Sequence, residues 1–146
     1  MLPCRLHLAL PLAGYRCERL RRTPHFRAHC RGGFYCLEAT CVAKRHCFHP
    51  HIHALLDLTD PRGLTASWLS RRWKKLSRGA YVVDLRPLTR MDVPDRLWYL
   101  LKPLPLVDDT AVVSEFYGSL PRQRRFQAFG VIRRDAPKTN LVPPGN

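Results

Sequence analysis

Residues 34–41 read FYCLEATC and residues 49–58 read HPHIHALLDL. The first run is rich in aromatic and β-favouring residues. The second alternates in character. Both patterns predict strands. The polar, basic segment 42–48 between them has the character of a hairpin loop, so the two strands are expected to pair. Asp60-Pro61-Arg62-Gly63 then supplies a turn.

Downstream, Leu64, Trp68, Leu69, Trp73 and Leu76 fall on one face of a helix over residues 64–76. Thr65 is suited to cap its start, and Gly79 lies just beyond its end. Residues 81–88 (YVVDLRPL) read as a third strand. Residues 92–102 read as a helix with Pro94 in its first turn, residues 108–117 as a second short helix, and residues 126–133 (FQAFGVIR) as a final strand. Upstream, Gly32-Gly33 is expected to break the chain. Residues 16–30 read as an exposed helix or loop, and residues 5–12 (RLHLALPL) as a first strand. Strands interleaved with helices around a hairpin predict an α+β fold, a central antiparallel sheet flanked by helices.

The 146-residue length fits one domain, and no internal repeat or linker divides it. Residues 1–134 are therefore expected to form a single domain. Residues 135–146, with three prolines, are expected to form a flexible tail. Hydrophobic residues make up 45%, which argues against wholesale disorder. The longest uncharged apolar stretch, residues 6–15, is interrupted by His7 and Pro11. A bilayer span needs ~20 apolar residues, so no membrane role is expected. The stretch also lacks a small-residue cleavage site behind a basic segment, and a cytoplasmic location is expected.

Lys and Arg number 25 against 11 Asp and Glu, a formal charge of +14. The basic residues cluster: Arg19, Arg21, Arg22 and Arg27; Arg71, Arg72, Lys74 and Lys75; Arg122, Arg124, Arg125, Arg133 and Arg134. Such clusters suit a polyanion, most commonly nucleic acid. An Arg- and Pro-rich composition from a GC-rich genome is the other source of such charge. Four of the six cysteines, Cys30, Cys36, Cys41 and Cys47, follow C-x5-C-x4-C-x5-C. They lack the short knuckles usual in zinc sites. Small apolar residues packing in strands and a hairpin is one reading of them, and a structural zinc module is the other.

Three elements can carry chemistry. In His49-Pro50-His51-Ile52-His53, strand alternation puts His51 and His53 on one side, with Ile52, Ala54 and Leu56 on the other. His49 shares their parity, although Pro50 constrains the chain there. Two such imidazoles can share a divalent metal, and a carboxylate would make the site tolerate Mg²⁺ or Mn²⁺. They can equally be solvated or core histidines. Glu38 lies in the middle of an apolar strand, where an unpaired carboxylate is costly and calls for a positive partner. In the hairpin it falls beside the histidine pair, unless it lies on the solvated face of an edge strand. Tyr99 and Lys102 are three apart on the helix 92–102 and project together, with Leu100 and Leu101 turned to the core. Positive charge beside a phenol favours the phenolate, which fits covalent catalysis by tyrosine. A packed Tyr with a snorkelling Lys has the same pattern.

The order Glu on a strand, His-hydrophobic-His on the next, and Tyr-x-x-Lys on a later helix resembles the HUH endonucleases. The closer likeness is to the rolling-circle replication initiator (Rep) proteins of small bacterial plasmids. GGFYCLEAT, FHPHIHALL, SWLSRRWKKLS, YVVDLRPL, RLWYLLKP and RRFQAFGVIRR each resemble a family segment in turn, over roughly residues 20–134. The family's Thr-containing first strand has only LHLALP as its counterpart. The resemblance implies a central antiparallel sheet and a DNA nicking-closing endonuclease. His51 and His53, with Glu38 as third ligand, would hold Mg²⁺ or Mn²⁺ to polarise the scissile phosphate. Tyr99 would attack the phosphorus, leaving a 5′-phosphotyrosine and a free 3′-OH. Lys102 would position the tyrosine or stabilise charge at the phosphate. Arg71, Arg72, Lys74, Lys75, Arg124 and Arg125 would contact the DNA backbone. Implied partners are single-stranded DNA or an origin hairpin, and host replication proteins. A transposase- or relaxase-like nickase of a mobile element shares this chemistry. An inactive nucleic-acid-binding remnant would keep only the basic surface.

Overall fold

The computed structural model describes residues 6–42, 47–80, 82–101, 110–120 and 125–134. The elements run α1 (Leu6–Arg21), α2 (Pro24–His29), β1 (Cys30–Val42), β2 (Cys47–Leu58), α3 (Ala66–Ser77), α4 (Val93–Leu101), α5 (Thr110–Gly118), β3 (Phe126–Gly130) and α6 (Val131–Arg134). The sheet has the order β2-β1-β3, with both pairings antiparallel. The expected α+β fold, an antiparallel sheet with flanking helices, is the one observed.

The hairpin forms where the alternation placed it, and β1 becomes the central strand. Side chains of successive strand residues leave opposite faces, so β1 has two distinct sides. Tyr35 and Leu37 face a core built with Leu10, Ala13 and Cys17 of α1, Phe26 of α2, Leu69 of α3, Phe116 of α5 and Phe129 of β3. Ile52 and Leu56 of β2 pack against the same cluster. Cys36, Glu38 and Thr40 leave the other side. Tyr35 is fully buried. Its hydroxyl donates to Gln127 Oε1 at 2.8 Å, satisfying the one polar atom that its burial brings inside.

The glycines at 32 and 33 do not break the chain. They lie inside β1, with a register irregularity between Cys30 and Gly32. A Cβ on Gly33 would run into the Leu55 carbonyl and reach to 2.9 Å from the Phe129 ring. Lacking a side chain there is what lets β2 and β3 close on β1. Gly130 ends β3 with φ of +62°, the left-handed region open to glycine at little cost. The strand expected over residues 126–133 therefore stops at Gly130 and turns into α6.

Within the expected first strand over residues 5–12, the described residues 6–12 are helical. Leu10, Ala13 and Cys17 are all buried. They continue a three-and-four spacing that outruns the short apolar segment, and that single stripe seats α1 on the core despite Pro11 within it. Residues 82–88 of the expected third strand carry no regular secondary structure. Val83 and Leu85 pack against the core, but Pro87 offers no amide to a ladder.

Both well-predicted helices have visible starts. The Trp68 amide donates to Thr65 Oγ1 at 3.2 Å, capping α3. Arg78 takes the left-handed conformation at its end. Ahead of α4, Asp92 Oδ2 accepts from the Thr89 amide at 3.0 Å and hydroxyl at 2.6 Å. Among the described residues, no helix is long and apolar enough to cross a membrane.

Candidate active site

In an antiparallel pair, residues directly opposite each other project to the same face. The β1–β2 register sets Glu38 opposite His51, Cys36 opposite His53 and Thr40 opposite His49. All six therefore stand on the side of the sheet away from the helical core.

Glu38 is the hub. Its Oε2 lies 3.2 Å from His53 Nε2, and its Oε1 lies 3.3 Å from Arg125 Nη2. The Cys36 thiol donates to the same Oε1 at 3.8 Å. The Glu38 side chain is 18% exposed and that of His53 42%. Burial, and then the Glu38 charge, push the Cys36 thiol up to about 12, so it remains a neutral donor. Thus the partner that an embedded carboxylate requires is present, and it includes Arg125. The sequence groups Arg125 with the DNA-contacting arginines. Its side chain is instead only 9% exposed and turned to Glu38. Two contacts hold it there: the Leu37 amide donates to its carbonyl at 2.8 Å, and its guanidinium lies 4.7 Å over the Phe126 ring.

His51 sits beside this group but is engaged elsewhere. Its Nε2 shares a 2.9 Å hydrogen bond with Thr40 Oγ1. The His51 and His53 rings are 6.4 Å apart. Burial, then the neighbouring His53 and His49, lower the His51 pKa below the usual imidazole value. This favours the neutral ring that a metal ligand needs.

The donor set of one carboxylate and two imidazoles fits a divalent cation in type. Ligands bound octahedrally at ~2.1 Å sit ~3 Å from one another, close to the Glu38–His53 separation of 3.2 Å. His51, with its Nε2 on Thr40, does not stand with them. As they stand, no three His, Cys, Asp or Glu side chains among the described residues are grouped to hold an ion.

The other expected residues fall on separate elements. Tyr99 is on α4 and 53% exposed. Leu100 is buried as expected, whereas Leu101 is 43% exposed and not turned into the core. Lys102 and Arg124 lie outside the described residues. Arg71, Arg72, Lys74 and Lys75 share the α3 wall of a groove of about 600 Å³, together with His25 and Trp68. Of the four patterned cysteines, Cys30 belongs to the helical core and Cys36 stands on the opposite side of the sheet. The two do not share a site.

Sequence reading missed Arg125 as the partner of Glu38, Thr40 as that of His51, and the pairing of His25 with Trp68. The alternating RFQAF of β3 signals a strand but not which strand it joins. Comparison with family models, with curated proteins and with solved structures finds no match for this chain.

Proposed function

We propose that this chain nicks and rejoins single-stranded DNA in a sequence-specific, metal-dependent reaction that initiates rolling-circle replication. It would work in the cytoplasm, on a single strand or origin hairpin, with host replication proteins. The reading rests above all on the Glu38–His53 approach with His51 beside it, followed along the chain by Tyr99 on a helix. Glu38, His53 and a reoriented His51 would hold Mg²⁺ or Mn²⁺, which when bound supplies Lewis-acid polarisation of the scissile phosphate. Tyr99 Oη forms the new bond to phosphorus as the bond to the 3′ oxygen breaks. The phenolic proton is matched by the one that the leaving 3′ oxygen takes up. The phosphodiester energy is kept in the phosphotyrosine, so the 3′-OH can reverse the step. Lys102 would stabilise charge at the phosphate, and the basic face of α3 would hold the backbone.

A second reading, nucleic-acid binding without nicking, draws on the Arg125–Glu38 pair, in which the guanidinium already offsets the carboxylate. A transposase- or relaxase-like nickase differs from the first only in its DNA. A denaturing gel tests the reading. The protein is incubated with Mn²⁺ and labelled single strands that include inverted-repeat hairpins. A covalent protein–DNA band that needs metal is expected, and it should vanish in Tyr99→Phe and in His51→Ala/His53→Ala. A band that persists in Tyr99→Phe would assign the nucleophile elsewhere. Salt-sensitive binding with no band would favour the second reading.

A further inference from the structure

The groove between α2 and α3 combines two features, of which only the cations enter the proposed function above. One is aromatic. The Trp68 and His25 rings stack with centroids 4.4 Å apart and planes 27° from parallel, and His29 stands 4.6 Å from His25 on a tilted plane. The other is cationic. Arg71, Arg72, Lys74 and Lys75 line the same groove. Arg72 Nε is buried with no hydrogen-bond partner among the described residues.

The stack is held in place from several directions. His25 Nε2 lies 2.8 Å from the Gly63 carbonyl. A carbonyl only accepts, so this nitrogen carries the proton and the ring orientation is set. Thr23 caps α2, its Oγ1 accepting from the Phe26 amide at 3.4 Å, and Thr65 caps α3 at Trp68 itself. Trp68 also packs against the core. A platform fixed beforehand loses little entropy when a flat ligand lands on it.

We propose that this groove is a base-stacking site for single-stranded nucleic acid. His25, exposed and backed by the Trp68 ring on which it stacks, offers its imidazole to an unpaired base, and the α3 cations take the adjoining phosphates. Every base has a π-face, and stacking on protein aromatics beside a basic track serves single strands without regard to sequence. A duplex keeps its base faces inside the stack and could use only the cations. An acidic peptide would use the cations and leave the rings idle. The inference rests on the nucleic-acid part of the proposed function and extends it to a second site, away from Glu38 and the histidines.

The test is equilibrium binding of a short labelled oligothymidylate by the full chain in EDTA, where nicking does not enter. A duplex of equal length and heparin, a polyanion without bases, serve as comparison ligands. Oligothymidylate should bind more tightly than the duplex. His25→Ala, at an exposed position, and Trp68→Leu should each weaken oligothymidylate binding about tenfold, within the range for one stacked base, and leave heparin binding unchanged. Lys74→Ala/Lys75→Ala should weaken both ligands. Should Trp68→Leu fail to fold, His25→Ala decides the matter. Unchanged oligothymidylate affinity in these variants would overturn the proposal. So would equal losses for oligothymidylate and heparin, or equal affinity for duplex and single strand. A chain that never nicks but binds as expected would sink the nickase reading and leave this site standing.

Discussion

Arg125 and Glu38 are 87 positions apart in the chain and meet at 3.3 Å. Both side chains are largely removed from solvent. The contact joins the start of β3 to the middle of the hairpin and places a guanidinium against the carboxylate of the candidate site. Removing one member of such a pair leaves the other as a poorly compensated buried charge.

Arg125→Met should therefore destabilise the protein by ~3 kcal/mol, at the low end for a broken buried pair because Glu38 keeps His53 and Cys36. Urea unfolding of the variant against the parent measures this. An unchanged midpoint would mean that the pair is solvated and of no structural weight.

Cation binding at Glu38, His51 and His53 should raise the unfolding temperature. At a concentration 100 times Kd the stabilisation is ~2.7 kcal/mol. Thermal scans with and without Mn²⁺ should show the shift in the parent and not in His53→Ala. With no shift in the parent at millimolar Mn²⁺, the metal ligands proposed here would be withdrawn.

The raised thiol of Cys36 makes a pH prediction. In the unfolded chain it ionises near 9.0, and in the fold near about 12. A folded value above the unfolded one stabilises the protein fully below 9.0, and that contribution is lost as pH climbs toward 12. Cys36→Ala should lose less stability than the parent across that alkaline window in denaturant titrations at a series of pH values. Parallel curves would show that Cys36 is not held neutral by its surroundings.

Gly33→Ala should cost ~2 kcal/mol, typical of forcing a methyl into a packed site. The added Cβ meets the Leu55 carbonyl and the Phe129 ring at once, so it has to part β1 from both neighbours. Chemical denaturation of the variant checks the size. Wild-type stability would show that the sheet has slack at this point.

Local signals suffice where they are complete within a few residues. The β-favouring composition of residues 34–41 and the alternation through residues 49–58 predict the hairpin and the face shared by His51 and His53. Thr65 and the Leu64–Trp68–Leu69 spacing gave α3, and Pro94 marked the start of α4. The apolar run at residues 5–12 reads as a strand, yet so short a segment fits a helix as well. Only the continuation through Ala13 and Cys17 resolves it, and that requires knowing that both are buried. The Gly32-Gly33 pair carries no side chain to declare its role. Its place inside β1 depends on the close approach of Leu55 and Phe129.

Strand periodicity and helix caps act over one or two turns of chain, so the residue order alone carries the hairpin, α3, and a carboxylate beside two imidazoles. The order β2-β1-β3, the capture of Glu38 by Arg125, the turning of His51 to Thr40 and the stacking of His25 on Trp68 join segments brought together only when the sheet and helices pack. Which acid meets which base is then decided by geometry across the fold, because a charge or ring has no preference for a partner by its distance along the chain.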